Sequence, residues 1–168
     1  MKIPALTLFV VVAAAAVASL SALAAKAPNA TFALRYVPAV QVVTDRGVRV
    51  QLRLESAGRF VVFGFTRCHD ACPLNLNRLA QRRRDARNWP RVLFITIDPQ
   101  HDDPPTLERF LRNWPGLAEG ITGNPETIRT IYETFTGAPG PPTLADEHDS
   151  RIFSVDRTGT IADISAPP

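Results

Sequence analysis

"RFVVFGFTRCHDACPLNLNRLAQRRRDARN", residues 59–88, is the stretch whose reading decides the fold. Its opening segment, 59–65, holds a short continuous apolar run, the pattern of a strand covered on both faces. Beyond Pro73, Leu74, Leu76 and Leu79 give one apolar side and the arginines the other. Proline is well tolerated in the first turn of a helix, so a helix is predicted to begin near Pro73. The only two cysteines of the chain fall between these elements, Cys68 in the loop entering the helix and Cys72 at its start. Ligands of α/β sheets collect beyond the carboxyl ends of strands. A helix N-terminus also favours the thiolate, so this position is expected to lower the thiol pKa.

Upstream, "VQVVTDRGVRVQLRL" (40–54) alternates apolar residues around a turn at Asp45, Arg46 and Gly47, which predicts a β-hairpin. Downstream, "RVLFITI" (91–97) reads as a second buried strand and "TLERFLRNW" (106–114) as a second amphipathic helix. "NPETIRTIYETF" (124–135), with proline and an acidic first turn, predicts a third helix. Residues 136–150 are too polar and too broken by proline and glycine to be regular, and 151–164 read as a final hairpin turning at "DRTG". No internal repeat is visible. Strand, helix, strand, helix, helix and hairpin behind an N-terminal β-hairpin predict an α/β sandwich around a central mixed sheet.

The 168 residues fit one domain, since domains run on the order of 100 to 200 residues. An apolar fraction of 45% and a charged fraction of 21% suit a chain that buries a core. At the N-terminus, Lys2 precedes an uncharged apolar run from Ile3 to Ala25. Ala22, Leu23 and Ala24 supply a small-x-small cleavage site, as in a removed signal peptide. The run nevertheless exceeds the ~7 to 15 residues of a signal core and approaches the ~20 that cross a bilayer, which favours an uncleaved membrane anchor. The expected organisation is a signal peptide or anchor at 1–26, a linker at 27–39 and a folded domain at 40–168. Either form of the leader places the domain outside the cytoplasm, where disulfides persist. The net charge of +3 owes most to Arg78, Arg82, Arg83, Arg84 and Arg87 on the first predicted helix. No aromatic residues interleave with these arginines to stack on bases, so they read as a solvated face and not as a nucleic-acid surface.

Three readings compete for the thiols. A structural disulfide between Cys68 and Cys72 would close a very short loop, which stabilises least. A redox couple would be the Cys-x-x-Cys pattern with one extra residue. Half of a metal site would need a further ligand, and the sequence offers His69, His101 and His148, with no methionine beyond the initiator. Closed zinc sites take four protein ligands, whereas two thiolates and one imidazole with an open or weak fourth position suit copper. His148 is the leading third candidate, because the irregular loop before the final hairpin can return to the strand-to-helix corner.

"FGFTRCHDACPLNL", "ITIDPQHDDPPTLERFL", "ITGNPETIRTIYETF" and "EHDSRIFSVDRTGTI", in this order, resemble the Sco/SenC family of membrane-tethered copper-binding proteins over about Val40 to Ile164. The family's Cys-Pro-x-x-Cys-Pro falls on Cys68 to Pro73, its Asp-Pro-x-x-Asp on Asp98 to Asp102, and its liganding histidine on His148. The resemblance implies a thioredoxin-like fold in which Cys68, Cys72 and His148 bind one copper ion, as Cu(I) or Cu(II). It further implies delivery of copper to the binuclear copper centre of cytochrome c oxidase, or reduction of that centre's cysteines. The implied partners are the oxidase subunit carrying that centre and another copper chaperone or thiol reductant. The implied place is the periplasmic face of the inner membrane. The alternative is an extracytoplasmic thiol-disulfide oxidoreductase, with Cys68 as nucleophile and Cys72 as resolving thiol. A peroxiredoxin is disfavoured, because Thr66 lies two positions before Cys68 and that family's pattern places threonine three before.

The chain departs from the family pattern in places. His69 replaces a proline beside the first thiol, and Asp149 replaces the serine after the liganding histidine. The family carries a closing helix beyond the final hairpin; this sequence reaches Pro168 without one, so one sheet face is expected to lie partly uncovered. Asp70 is expected to cap the first helix, Asp98 to end a strand before a proline turn, His101 to be an exposed loop residue, and Trp89 and Trp114 to pack.

Overall fold

The alternation Val40, Val42, Thr44 forms strand β1 (Val40–Thr44), which pairs antiparallel with β2 (Arg49–Leu52), Val42 opposite Val50. Gly47 turns the chain between them with φ +74°, a conformation side chains rarely adopt. The computed structural model describes residues 39–53, 58–86, 89–141 and 151–164, all within one compact unit, Phe32–Pro168. The leader at 1–26 and nearly all of the linker lie outside the described residues. Among the described residues no helix is long and apolar enough to cross a membrane.

The centre of the sheet is parallel. Strand β3 (Arg59–Gly64) runs in register with β4 (Arg91–Thr96), from Arg59 opposite Arg91 to Gly64 opposite Thr96. Val61 to Gly64 and Val92 to Thr96 are buried throughout, as continuous apolar runs covered on both faces should be. At the sheet's centre neither face is left open. Helix α1 (Ala71–Asp85) joins β3 to β4, α2 (Pro104–Leu111) leads to β5 (Ala118–Thr122), and α3 (Pro125–Thr136) follows. A final hairpin of β6 (Ile152–Val155) and β7 (Ile161–Asp163) closes the order β2-β1-β5-β4-β3-β6-β7.

Alternation along β3 assigns the helices to faces. Phe63 meets Tyr132 and Phe135 of α3, with Phe153 of β6 beside it, at ring centroids 5.2, 5.4 and 6.0 Å apart. Its neighbour Gly64 looks the other way, toward Cys72 of α1 and Phe94, and Phe94 packs on Phe110 of α2. Two consecutive right-handed crossovers moving in one direction put α1 and α2 on the same side. Trp114 ties these two helices together, its indole N–H donating to Asn77 at 2.8 Å, while Trp89 packs on Phe60 with the rings tilted by 59°. Both tryptophans pack, as expected.

Strand β5 was not expected. Its "AEGIT" lacks both alternation and a continuous apolar run, because Glu119 and Gly120 interrupt it. Pairing on both sides makes it a strand, parallel to β4 and antiparallel to β1. Gly120 is needed there: a Cβ would lie 2.9 Å from Cβ of Asp45 and 3.0 Å from Leu111. The N-terminal hairpin is thereby an integral part of the main sheet. Helix bounds also shift. Asp103 caps α2 by accepting the Thr106 N–H, so α2 begins at Pro104 instead of 106. Asn124 caps α3 through the Glu126 N–H, and Gly137 ends it with φ +73°. Of the α1 arginines, Arg78, Arg83 and Arg84 are exposed, and Arg83 donates to the Gly116 carbonyl. Arg87 lies outside the described residues.

Candidate metal centre

Beyond Gly64 the chain turns at once, the Cys68 N–H donating to the Phe65 carbonyl at 3.1 Å, and α1 starts at Ala71, two residues before the expected Pro73. The first turn of a helix leaves backbone N–H groups without carbonyl partners. Asp70 stands at the capping position, but its carboxylate accepts none of them, contrary to expectation; its backbone, at φ −125° and ψ −83°, lies outside the extended region a cap normally uses. The Cys72 N–H points instead at Sγ of Cys68, 3.4 Å away. A sulfur does what the carboxylate was expected to do.

Cys68 and Cys72 are 5% and 1% exposed, and no disulfide joins them. Gly64 makes the space for the second sulfur, since a Cβ there would stand 2.5 Å from Sγ of Cys72. Burial, then the hydrogen bond with the Cys68 side chain, push the Cys72 thiol well above its ordinary 9.0. The sequence position had suggested a lowered value; desolvation of the charged form outweighs the helix N-terminus at Cys72.

The end of the neighbouring strand supports this corner. Ile97 donates its N–H to the Gly64 carbonyl at 2.8 Å, after which Asp98 to Asp102 form a turn, the N–H groups of His101 and Asp102 donating to the Asp98 carbonyl. The buried Asp98 carboxylate accepts from Arg67 and, at 2.8 Å, from Nδ1 of His101. Burial raises the Asp98 pKa, but the hydrogen bonds from His101 and Arg67 outweigh it and hold the carboxyl below its ordinary 3.8. Asp102 is fully buried; it accepts the Thr66 N–H at 3.0 Å and the Thr66 and Thr96 hydroxyls at 2.6 Å each.

Of the sequence candidates, Cys68 and Cys72 come together, while His148 lies outside the described residues. His69 is exposed beside Cys68. His101 is exposed, as expected, and is bound to Asp98, so Asp98 does more than end a strand. The described residues hold no group of three or more His, Cys, Asp or Glu able to bind a metal ion. Two thiols are therefore the part of a donor set they provide, and thiolate is a soft ligand suited to Cu(I). Sequence reasoning missed Thr66, Thr96 and Asp102. The available signal was the spacing of Thr66 before the first cysteine and the second aspartate of "DPQHD".

The sequence model of the SCO1/SenC family matches residues 29–166. A SCO2-like protein of Rickettsia felis is 30% identical over 110 residues, covering 59% of this chain and 53% of its own. The chain spans about half the length of the curated relatives it matches. Among solved structures, copper-bound ScoI of Bradyrhizobium japonicum is 25% identical with a TM-score of 0.56, over 72% of this chain and 83% of its own. BsSco, a member of the Sco family of cytochrome c oxidase assembly proteins in which a disulfide switch was identified, shares the fold: its TM-score is 0.63 at 21% identity, over 75% of this chain and 80% of its own. The mixed seven-stranded sheet with its helices is thus the thioredoxin-like fold of these structures.

Proposed function

Because this chain belongs to the SCO1/SenC family, we propose that it is a copper-binding accessory protein of cytochrome c oxidase assembly, with Cys68, Cys72 and His148 holding one copper ion as cargo. The observation that carries this reading is the pair of cysteines brought together, unbridged, in one buried corner, at the end of β3 and the start of α1, in a chain similar to copper-bound ScoI. Thiolates retain soft Cu(I), and an imidazole adds the borderline donor that helps retain Cu(II). A three-ligand set leaves coordination open, so a partner's thiolate can bind before a donor ligand leaves. The proposed recipient is the oxidase subunit carrying the binuclear copper centre. The proposed place is extracytoplasmic, with the apolar segment at 3–25 as anchor.

Copper titration of the reduced chain tests the reading. One ion per chain is expected, lost in Cys68→Ala and in Cys72→Ala. His148→Ala should weaken Cu(II) binding far more than it disturbs folding, and unchanged Cu(II) affinity would remove His148 from the site. Absence of specific copper binding would overturn the proposal.

The juxtaposition of the two thiols, with the Cys72 N–H donating to Sγ of Cys68 at 3.4 Å, favours a second reading, thiol-disulfide exchange. Cys68 as thiolate attacks a partner disulfide and releases one partner thiolate; Cys72, losing its proton, then displaces the second. The partner gains two electrons, and Cys68 and Cys72 leave as a disulfide that a thiol reductant must reopen. Disulfide cycling that survives His148→Ala, with no copper bound, would select this reading.

A further inference from the structure

A buried carboxylate is costly unless it is well hydrogen-bonded or paired. Asp102 is 0% exposed and meets that demand with donors from two separate places. Thr66 supplies its N–H and its hydroxyl from the loop between β3 and α1, and Thr96 supplies a hydroxyl from the last residue of β4. Asp102 in turn is fixed by its own N–H, which donates to the Asp98 carbonyl at 3.0 Å. One carboxylate therefore joins the ends of two parallel strands and the turn that follows the second.

The loop so held is the one that carries Cys68. Thr66 precedes that cysteine by two residues, and the intervening Arg67 gives its guanidinium to Asp98 on the same turn. Each of the two residues before Cys68 is thus held by one aspartate of the 98–102 turn. Cys68 must keep its height for Sγ to accept the Cys72 N–H, while the Cys72 sulfur is packed against Gly64 and set by its place in the first turn of α1. The spacing of the two sulfurs depends on the Cys68 side.

We propose that Asp102 is a positioning residue for the thiol pair, holding Thr66 so that Cys68 stands preset opposite Cys72 for ligand capture. The role of the ligand as copper rests on the function proposed above; the presetting of the thiols does not. Asp102 makes no hydrogen bond to either sulfur among those described; its charge also disfavours the Cys72 thiolate, an effect that Thr66→Val, which keeps the carboxylate, leaves in place and so separates from positioning through the loop.

The test uses the full chain and Thr66→Val, which removes one of the three hydrogen bonds and keeps the backbone donor. Native-state alkylation of the thiols and competition for Cu(I) are read beside the thermal midpoint. Ile128→Val, on α3 and remote from this corner, supplies a destabilised comparison. Thr66→Val is expected to speed alkylation about tenfold and to weaken copper about ten- to hundredfold, the range found when residues supporting metal ligands are removed. Ile128→Val should leave both near wild type. Asp102→Ala should exceed Thr66→Val. Asp102→Asn, whose amide can give an N–H to the Thr66 hydroxyl, should recover most of the loss. Wild-type alkylation in Thr66→Val, equal changes in Ile128→Val, or no recovery in Asp102→Asn would each overturn the proposal. If Asp102→Ala does not fold, Thr66→Val carries the test. If the wild type binds no copper, the proposed function falls and alkylation alone decides the positioning.

Discussion

A single hydrogen atom separates the Gly64 backbone from the sulfur of Cys72. A Cβ in its place would meet Sγ at 2.5 Å and the Phe94 ring at 2.9 Å, so a buried sulfur and a buried ring would both have to shift. Gly64→Ala is expected to cost about 1–3 kcal/mol, as overpacking of a close-packed core does, read as a lowered urea midpoint. Asp98 gives a prediction in pH. Its folded pKa is depressed below 3.8, so its contribution to stability is complete above that value and is lost as the pH falls through the folded value. Asp98→Asn should therefore be less stable than wild type at pH 7, and the gap should narrow as the pH falls below 3.8; a gap that does not narrow would contradict the assignment. Cys68 and Cys72 were legible because the chain has no other cysteines, so position alone identified them. Asp102 was legible only as the last residue of the Asp-Pro-x-x-Asp match, and its role was not. In "PQHDDPP" it looks like one more solvated charge, and only the folded sheet reveals that it is fully buried while its neighbour Asp103 is exposed.

The helices show how local signals can mislead about cause. Serine, threonine, aspartate or asparagine before a helix predicts a side-chain cap, and for α2 and α3 that is what Asp103 and Asn124 provide. Before α1 the same signal, Asp70, is present and makes no capping hydrogen bond, while Sγ of Cys68 receives the N–H of Cys72. Asn124→Ala should lower stability by about 1 kcal/mol, whereas Asp70→Ala should change it by less than ~0.5 kcal/mol, as at an exposed site without a structural partner. Chemical denaturation of both variants decides. A cost at Asp70 equal to that at Asn124 would mean that Asp70 does cap the helix. Strand β5 fails in the opposite way. Its residues carry no periodic signal, and it exists because β4 and β1 offer it hydrogen bonds on both edges. Long apolar runs such as β4 announce themselves; a strand specified by its neighbours does not.

At the scale of the molecule, the expected α/β order and its mixed sheet match the structure, since alternating buried strands and amphipathic helices leave few ways to cover both faces. What the order could not give was the joining of the N-terminal hairpin to the centre through β5. Copper binding to the folded corner should stabilise the whole unit. At a copper concentration about a hundredfold above Kd the gain is ~2.7 kcal/mol, which for a domain of this size raises Tm by about 5–10 °C. Differential scanning calorimetry should show that rise in wild type and not in Cys68→Ala. A rise retained in Cys68→Ala would place the ion elsewhere.

Strand β3, which leads into the thiol corner, is paired on one side by β4 and on the other by β6, and β6 begins only at Ile152. A chain made from its N-terminus therefore brings Cys68 and Cys72 into the open long before the strand that completes their flank has been synthesised. Non-local pairings of this kind form slowly, and chains emerge at about 5–20 residues per second. During those seconds the thiols meet whatever oxidant or metal surrounds the nascent domain, without the shelter of the finished sheet. Timing, as much as affinity, then decides whether the corner closes over two thiols or over a bond between them.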